Sequence, residues 1–239
     1  MTSDPSIDPF APCPCGSGKK WKFCCRAQAV QQPKLSPEEI GSLLRRAQEF
    51  PVEACYVNSD WPTLGKALCL LVRRLHSGGF IAANLLVDPF FLGLKDAFGS
   101  VLRSPAEIVL RLERMRSLNE EGTLSIEPVP YEEMRSLVLG AIAYAGRLGQ
   151  TPHPDWNPIA PMVAPELPWE ERYVFGREGK PFYISGPYDD LGKIRAGLRR
   201  ANQPMPDYVI EISGGTRSLQ IEDPPGPFGP KTREAHHGR

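Results

Sequence analysis

Cysteine is concentrated near the beginning of the chain, and its spacing there restricts the local fold more than any other feature. Of the six cysteines in 239 residues, four follow the pattern C-x-C-x8-C-C, at Cys13, Cys15, Cys24 and Cys25. Zn²⁺ prefers four soft ligands in a tetrahedron, and thiolates bound at about 2.3 Å suit it. Pro14 and Gly16 favour a sharp turn, and Gly18 can supply the positive φ that turns the chain back. The stretch has too few apolar residues to fold without a metal.

The charges around these cysteines also favour a metal–thiolate cluster. No acidic residue lies between positions 8 and 38, and four basic residues accompany the cysteines: Lys19, Lys20, Lys22 and Arg26. Four thiolates on one Zn²⁺ leave a formal charge of −2. The nearby cations offset that charge and lower the pKa values of the thiols. Disulfides are the alternative, but adjacent cysteines rarely pair with each other and no export signal precedes them, so zinc is favoured.

The stretch from Cys13 to Arg26 resembles the SEC-C motif, a short zinc module known from the C-terminal tail of the bacterial preprotein translocase ATPase. The resemblance rests on the Pro-Cys-Gly-Ser-Gly-Lys-Lys core, the aromatic residue and lysine after it, and the final Cys-Cys pair. It implies one structural zinc ion with four ligands: Cys13, Cys15, Cys24 and Cys25. Four protein ligands leave the ion no open position for a substrate. The resemblance also implies that the module recognises another protein, as the translocase tail recognises its chaperone partner.

Basic and aromatic residues alternate between the two cysteine pairs and form the expected contact surface. They are Lys19, Lys20, Trp21, Lys22 and Phe23. Such a patch could also contact phosphate and stack a base, as zinc knuckles do. Four or five cations give nucleic acid only weak, salt-sensitive affinity, and the rest of the chain adds no basic stripe. A protein partner with an acidic face is therefore favoured, and a chaperone, a translocation component and a ribosomal component all remain open.

The rest of the composition is that of one mid-sized globular unit with appendages. The formal net charge is zero and the pI is about 6.9, which favours no large anionic partner. Hydrophobic residues make up 41% of the chain, enough for a core, whereas its 26 prolines exceed the usual share. No apolar run of about 18 residues predicts a membrane span. The acidic beginning of the chain lacks the blocks of a signal peptide, so we expect a reducing, cytoplasmic location.

These features predict an α+β protein in which a small N-terminal zinc knuckle precedes a mixed body of antiparallel hairpins and helices. The expected units are a disordered segment at 1–11, the zinc-binding module at 12–27, a linker at 28–35, the body at 36–222 and a disordered tail at 223–239. The proline, glycine and charge content of the tail motivates the last assignment. Residues 12–27 are called the cysteine module below.

Local signals divide the body into helices and strands. A capping box of Ser36 with Glu39, a capped start at Ser104 and apolar spacing predict helices at about 36–50, 104–115, 131–148 and 186–200. Apolar runs around glycine-rich turns predict a strand at 52–61, a hairpin of 66–75 with 80–87, a second hairpin of 172–175 with 181–185, and a last strand at 208–212. The segment 150–168 holds too many prolines for regular structure to be predicted.

Three stretches of the body are similar to segments of an uncharacterised family of bacterial proteins in which the SEC-C motif sometimes appears. They are residues 86–96, 140–155 and 179–189, which occur in the same order. The family has no assigned activity. The resemblance therefore implies a fold unit and gives no reaction.

Asp88, Asp96 and His153 are the candidate catalytic residues of the body, with Lys95 and Asp155 beside them. Carboxylates and an imidazole could hold a divalent metal, and a lysine could stabilise an anion. The simpler explanation is that the aspartates end strands or cap turns and that the histidine packs locally. Motifs for a nucleophile elbow, a phosphate loop or a His-Glu-x-x-His zinc site are absent from the sequence. An enzyme is the less favoured alternative: a metal-dependent hydrolase or nuclease that the zinc module would target.

Overall fold

A five-stranded antiparallel sheet forms the centre of the body. The computed structural model describes residues 7–27, 35–118 and 124–210. The strand order is β4-β3-β2-β1-β5. The strands are β1 Val52–Asn58, β2 Ala67–Arg74, β3 Phe80–Asp88, β4 Gly93–Leu102 and β5 Ile126–Pro128. Together with the helices and the cysteine-rich beginning, this sheet confirms the α+β class.

Two of the described helices begin at a residue whose side chain caps the first turn. The helices are α1 Pro37–Arg45, α2 Trp61–Leu64, α3 Pro105–Arg116, α4 Tyr131–Arg147, α5 Trp156–Val163 and α6 Leu191–Arg200. At α1 the predicted capping box is confirmed, because Ser36 Oγ accepts the Glu39 N–H at 3.3 Å and the Glu39 carboxylate accepts the Ser36 N–H at 2.7 Å. The last helix starts later than predicted, at Leu191, where Asp190 is the N-cap.

The sheet separates two apolar layers. Helices α1, α4 and α5 cover one face, where they pack on residues such as Leu71 and Ile81, and α3 covers the other face, against Leu70 and Val72. Cys55 and Cys69 are free thiols buried in the first layer. Burial raises the pKa of the Cys55 thiol to about 12, so this cysteine is not reactive at neutral pH.

The first predicted hairpin is confirmed, whereas the strand that follows it was not predicted. β2 pairs with β3 in continuous register from Ala67↔Val87 to Arg74↔Phe80. β4 escapes the sequence pattern because a bulge breaks its alternation: Leu86 pairs with Asp96, but the next residue of β3 pairs with Leu94. Lys95 is the extra residue at this bulge, so its side chain leaves the normal alternation of the strand.

The second predicted hairpin is wrong. Residues 172–175 form no strand, and β6 (Phe182–Ser185) instead pairs in parallel with β7 (Asp207–Ile210) after the crossover through α6. The tight turn at 176–180 does form, with an isolated bridge between Arg177 and Lys180. Phe175, which precedes the turn, stacks its ring on Tyr144 of α4 with the centroids 5.9 Å apart.

The expectation that segment 150–168 lacks regular structure is also wrong, since this segment contains α5. Pro158 lies in the first turn of α5, where a helix has no use for the missing N–H. Pro161 removes one internal hydrogen bond, and burial of Trp156, Ile159 and Met162 offsets that loss. Tertiary burial therefore overrides the local effect of the prolines.

Parts of the predicted domain organisation lie outside the described residues. These are residues 1–6, 28–34, 119–123 and 211–239. The predicted linker, the predicted disordered tail and the end of the body therefore stay predictions. In the part of the chain that the structure describes, no helix is both long enough and apolar enough to cross a membrane.

Candidate metal centre

A short antiparallel bridge and two glycine turns fold the cysteine module. Pro12 pairs with Lys20, and the Cys13 N–H donates to the Lys19 carbonyl at 2.8 Å. Gly16 and Gly18 between them adopt φ values of +76° and +71°, which side-chain-bearing residues rarely do. The chain then enters a 3₁₀ turn at Trp21–Phe23, which delivers the second pair of cysteines. The predicted reversal between the two cysteine pairs is confirmed.

The four sulfur atoms of the module converge on one point. The Sγ atoms of Cys13, Cys15, Cys24 and Cys25 all lie within 4.8 Å of one another, and all four cysteines are free. The Cys15 and Cys24 sulfurs are 3.6 Å apart, far beyond the roughly 2.05 Å of a disulfide. A tetrahedral Zn²⁺ with bonds of about 2.3 Å separates its sulfurs by about 3.8 Å. The four residues therefore fit a tetrahedral thiolate site for a metal ion.

Burial and hydrogen bonding act on the four thiols differently. A hydrogen bond from the Ser17 side chain lowers the pKa of the Cys15 thiol to about 6. Ser17 Oγ also lies 3.1 Å from Cys24 Sγ. Cys25 is 1% exposed, and burial raises the pKa of its thiol to about 12. A bound cation is the group that would hold a thiolate at such a buried position, so the donor set calls for a metal.

The comparisons with known proteins identify this segment. The family model of the SEC-C motif matches residues 11–27. This result confirms the resemblance to the SEC-C motif that the sequence showed. Together with the cysteine cluster, it indicates metal binding by the cysteine module. No curated protein and no solved structure matches the chain.

The cysteine module packs on the body at the beginning of α3. Cys13 and Cys25 form a buried cluster with Ala106, and Trp21 packs against the same cluster. The Ala106 N–H donates a hydrogen bond to the Cys25 sulfur. The guanidinium of Arg26 lies 5.5 Å from the Trp21 ring centre. Trp21, which the sequence analysis assigned to the contact surface, is therefore half-buried and packs against the cysteines of the module.

Two aromatic rings and the lysines beside them are exposed in the cysteine module and just before it. Phe10 is 58% and Phe23 67% exposed. Lys22 Nζ lies between them, 3.7 Å from the Phe10 ring centre and 4.5 Å from that of Phe23. We call this group, with the exposed Lys19 and Lys20, the basic–aromatic surface. The sequence analysis missed Phe10 because it falls in the predicted disordered segment, whereas the Lys22 N–H donates to the Pro9 carbonyl at 3.0 Å and holds the backbone beside Phe10 in place.

The structure brings together part of the group proposed as catalytic. Asp96, His153 and Asp155 place their ligand atoms within 4.8 Å of one another, and all three residues are exposed. The His153 N–H donates to the Leu94 carbonyl at 3.0 Å, which fixes this loop on the edge of β4. Asp88 lies outside the cluster: it is buried, and its Oδ1 accepts the N–H groups that follow it in the turn. Asp88 thus has the strand-ending role that the simpler explanation gave it.

The bulge of β4 sends Lys95 to a partly buried polar network. Lys95 Nζ lies 2.8 Å from Asp189 Oδ2, and the same oxygen accepts the Tyr183 hydroxyl at 3.1 Å and the Gly186 N–H at 2.8 Å. These contacts join the first and third of the stretches noted above, and the bond from His153 to β4 joins the second. The three stretches therefore meet at one end of the body, around β4.

Proposed function

We propose that this protein is a zinc-dependent docking protein. In this proposal Cys13, Cys15, Cys24 and Cys25 bind one structural Zn²⁺, and the basic–aromatic surface binds another protein. The main support for this proposal is that Phe10 and Phe23 are exposed, whereas the cysteines beside them cluster in the interior. Exposed aromatic residues next to cations are typical of the energetic centre of a protein interface.

The chemistry of this surface supports a partner with an acidic and apolar face. Lys19 and Lys20 are exposed and Lys22 is half-buried, and these lysines outnumber the neighbouring acid, Asp8, whose carboxylate accepts the Phe10 N–H at 2.9 Å. Apolar rings supply burial energy, and the ammonium groups add orientation and a faster encounter with an acidic partner. A nucleic acid would need a longer basic track than these lysines provide. Protein recognition is therefore the use that the residues support best.

Affinity capture with quantitative mass spectrometry tests the proposal. The bait would be the zinc-loaded protein, with RNase and DNase added so that bridging nucleic acid does not contribute. We expect the double variant Phe10→Ala/Phe23→Ala to lose at least one specific partner that the unchanged protein captures. The matched control is Tyr188→Ala, which removes an aromatic ring that is 97% exposed on the body.

The captured partner would then be purified and titrated directly. We expect its affinity to fall at least tenfold in the Phe10→Ala/Phe23→Ala variant and to weaken with added salt. Equal capture by the double variant and the Tyr188→Ala control would contradict the proposal. Partners that disappear on nuclease treatment would instead assign the surface to nucleic acid.

A second candidate function rests on the cluster of Asp96, His153 and Asp155. Two carboxylates and one imidazole can hold a divalent ion and leave positions open for water or substrate. A metal-dependent hydrolase or nuclease would show phosphodiesterase activity that needs an added divalent ion and is lost in Asp96→Asn. Glu113→Gln, which changes an exposed carboxylate on α3, is the control. If Mg²⁺, Mn²⁺ and Zn²⁺ all failed to support activity on generic phosphodiesters, this second candidate function would be rejected.

A further inference from the structure

Helix α3 lacks the side-chain cap that its sequence predicts. Ser104 occupies the N-cap position and is buried, but its side chain accepts no hydrogen bond from the helix. At α1 and α6, by contrast, Ser36 and Asp190 accept amides of the first turn. The first amides of a helix have no partner within it, and leaving one buried and unpaired is costly. Pro105 has no N–H, and the Glu107 N–H donates to the Ser104 carbonyl at 3.1 Å. The Ala106 amide must therefore find its acceptor elsewhere.

Cys25 of the cysteine module provides that acceptor. Cys25 packs on Ala106, the second residue of α3, in one buried cluster, and its sulfur accepts the Ala106 N–H. Cys25 and Ala106 are each 1% exposed, so water does not compete at this contact. A sulfur from one part of the chain thus takes the place of the missing hydroxyl cap in another.

The electrostatics of the contact depend on the metal. Four thiolates on one Zn²⁺ carry a formal charge of −2, and the N-terminus of a twelve-residue helix carries a partial positive charge. A hydrogen bond from an amide to a thiolate is stronger than one to a neutral thiol. Metal binding requires deprotonated cysteines, so the charge at this contact belongs to the loaded protein.

We infer that Cys25 is the N-cap of α3 and that the Ala106 amide is an outer donor of the metal centre. Metal loading and attachment of the cysteine module to the body are consequently coupled, so the basic–aromatic surface has a fixed orientation only in the loaded protein. The inference rests on the metal binding of the proposed function and is independent of the docking partner.

The substitution Ala106→Pro tests the inference, because it deletes one N–H at a position where proline's φ suits a helix. Glu38→Pro is the matched control, since Glu38 follows Pro37 at the second position of α1 just as Ala106 follows Pro105 in α3. Zinc affinity would be measured on the whole protein by competition with a chromophoric chelator. We expect Ala106→Pro to bind zinc about 10- to 100-fold more weakly, and Glu38→Pro to keep the affinity of the unchanged protein.

Hydrogen exchange on the unchanged protein gives a second readout that does not depend on how the variant folds. Removing the metal is expected to speed amide exchange in the first turn of α3 and to leave the first turn of α1 unaltered. The inference would be overturned if the two proline variants bound zinc equally tightly. It would also be overturned if the amide exchange rate in the first turn of α3 were the same with and without the metal. If the unchanged protein bound no zinc at all, the proposed function itself would fail, and the two failures are thereby distinguished.

Discussion

Two buried arginines hold the proline-rich segment on the body. Arg73, on β2, donates to the Met162 carbonyl at 2.9 Å and to the Phe50 carbonyl at 2.8 Å. Arg135, on α4, donates to carbonyls at and just after the end of α5: Val163, Ala164, Leu167 and Pro168. The last carbonyls of a helix have no partner within it and attract cations. The arginines thus complete α5 and dock it with the same hydrogen bonds.

The substitution Arg135→Met keeps the bulk of the side chain and removes these donors. We expect it to lower the free energy of unfolding by about 3 kcal/mol, because several buried carbonyls lose charged partners. Urea denaturation measures the change. Arg172→Met is the control: its side chain is 43% exposed and pairs with Glu170, so a change within about 0.5 kcal/mol is expected. Similar losses in the two variants would contradict this account of Arg135.

Asp88 makes stability depend on pH in the direction opposite to most carboxylates. Burial raises its pKa to about 6, although the turn N–H groups and Lys95 act against the rise. The folded protein therefore holds this proton more tightly than the unfolded chain, whose aspartates titrate near pH 3.9. The resulting stability is complete below about pH 4 and is lost as the pH rises through about 6.

Asp88→Asn removes this titration. We expect the stability of the unchanged protein relative to the variant to fall by on the order of 2–3 kcal/mol between about pH 4 and pH 7. Chemical denaturation of the two proteins at several pH values measures the difference, in which other carboxylates cancel. A difference that stayed constant, or that grew with pH, would show that Asp88 is ionised throughout this range.

At the scale of elements, a glycine contact joins the end of α4 to α6. Gly149, which follows the C-cap Leu148 of α4, has a φ of +75°. A Cβ at Gly197 of α6 would lie 2.4 Å from the Gly149 carbonyl oxygen. Since backbone cannot yield as a flexible side chain can, α6 reaches this depth only with glycine at the contact.

Gly197→Ala is therefore expected to destabilise the protein by about 1–3 kcal/mol, through displacement of α6. The matched control is Gly146→Ala in α4, where an added Cβ would have no neighbour within 4 Å. That substitution should stabilise the protein by about 0.5–1 kcal/mol, because alanine favours helix. Thermal unfolding of both variants measures opposite shifts, and a shift in the same direction for both would refute the proposed contact.

At the scale of the whole molecule, the chain combines a segment folded around a cysteine cluster with a body folded around apolar layers. The cysteine module rests on its cysteine cluster, whereas the body buries two apolar layers around its sheet. Loss of the metal should consequently unfold the module and loosen α3 while the sheet remains. The two fold units meet at Cys25 and Ala106.

Cys24→Ser is expected to lower bound zinc from about one ion per chain to none, since a structural site needs all four ligands. Cys55→Ala also removes a thiol and should retain the zinc, because Cys55 is buried in the sheet. Atomic emission measurement of the purified proteins gives the stoichiometry, and circular dichroism shows whether the body stays folded. Zinc retained in Cys24→Ser would disprove the ligand assignment.

Local signals in the sequence were enough wherever a structure depends on neighbouring residues. The cysteine spacing, the capping box at Ser36 and the glycine turn between β2 and β3 act over a few residues, and each appears in the structure as predicted. β4 and α5 were missed because a bulge and two prolines hide their periodicity, and long-range contacts with Arg73 and Arg135 compensate for the prolines.

The sequence by itself determined the metal-binding segment, because its four cysteines and the two glycine turns between them all lie within thirteen residues. Only the tertiary structure decided what surrounds that segment. It turned Trp21 inward, added Phe10 to the exposed surface, and separated Asp88 from Asp96 and His153. It also placed Cys25 on the first turn of α3, a contact between residues about eighty positions apart. Such contacts depend on how the layers pack, and no local pattern encodes them.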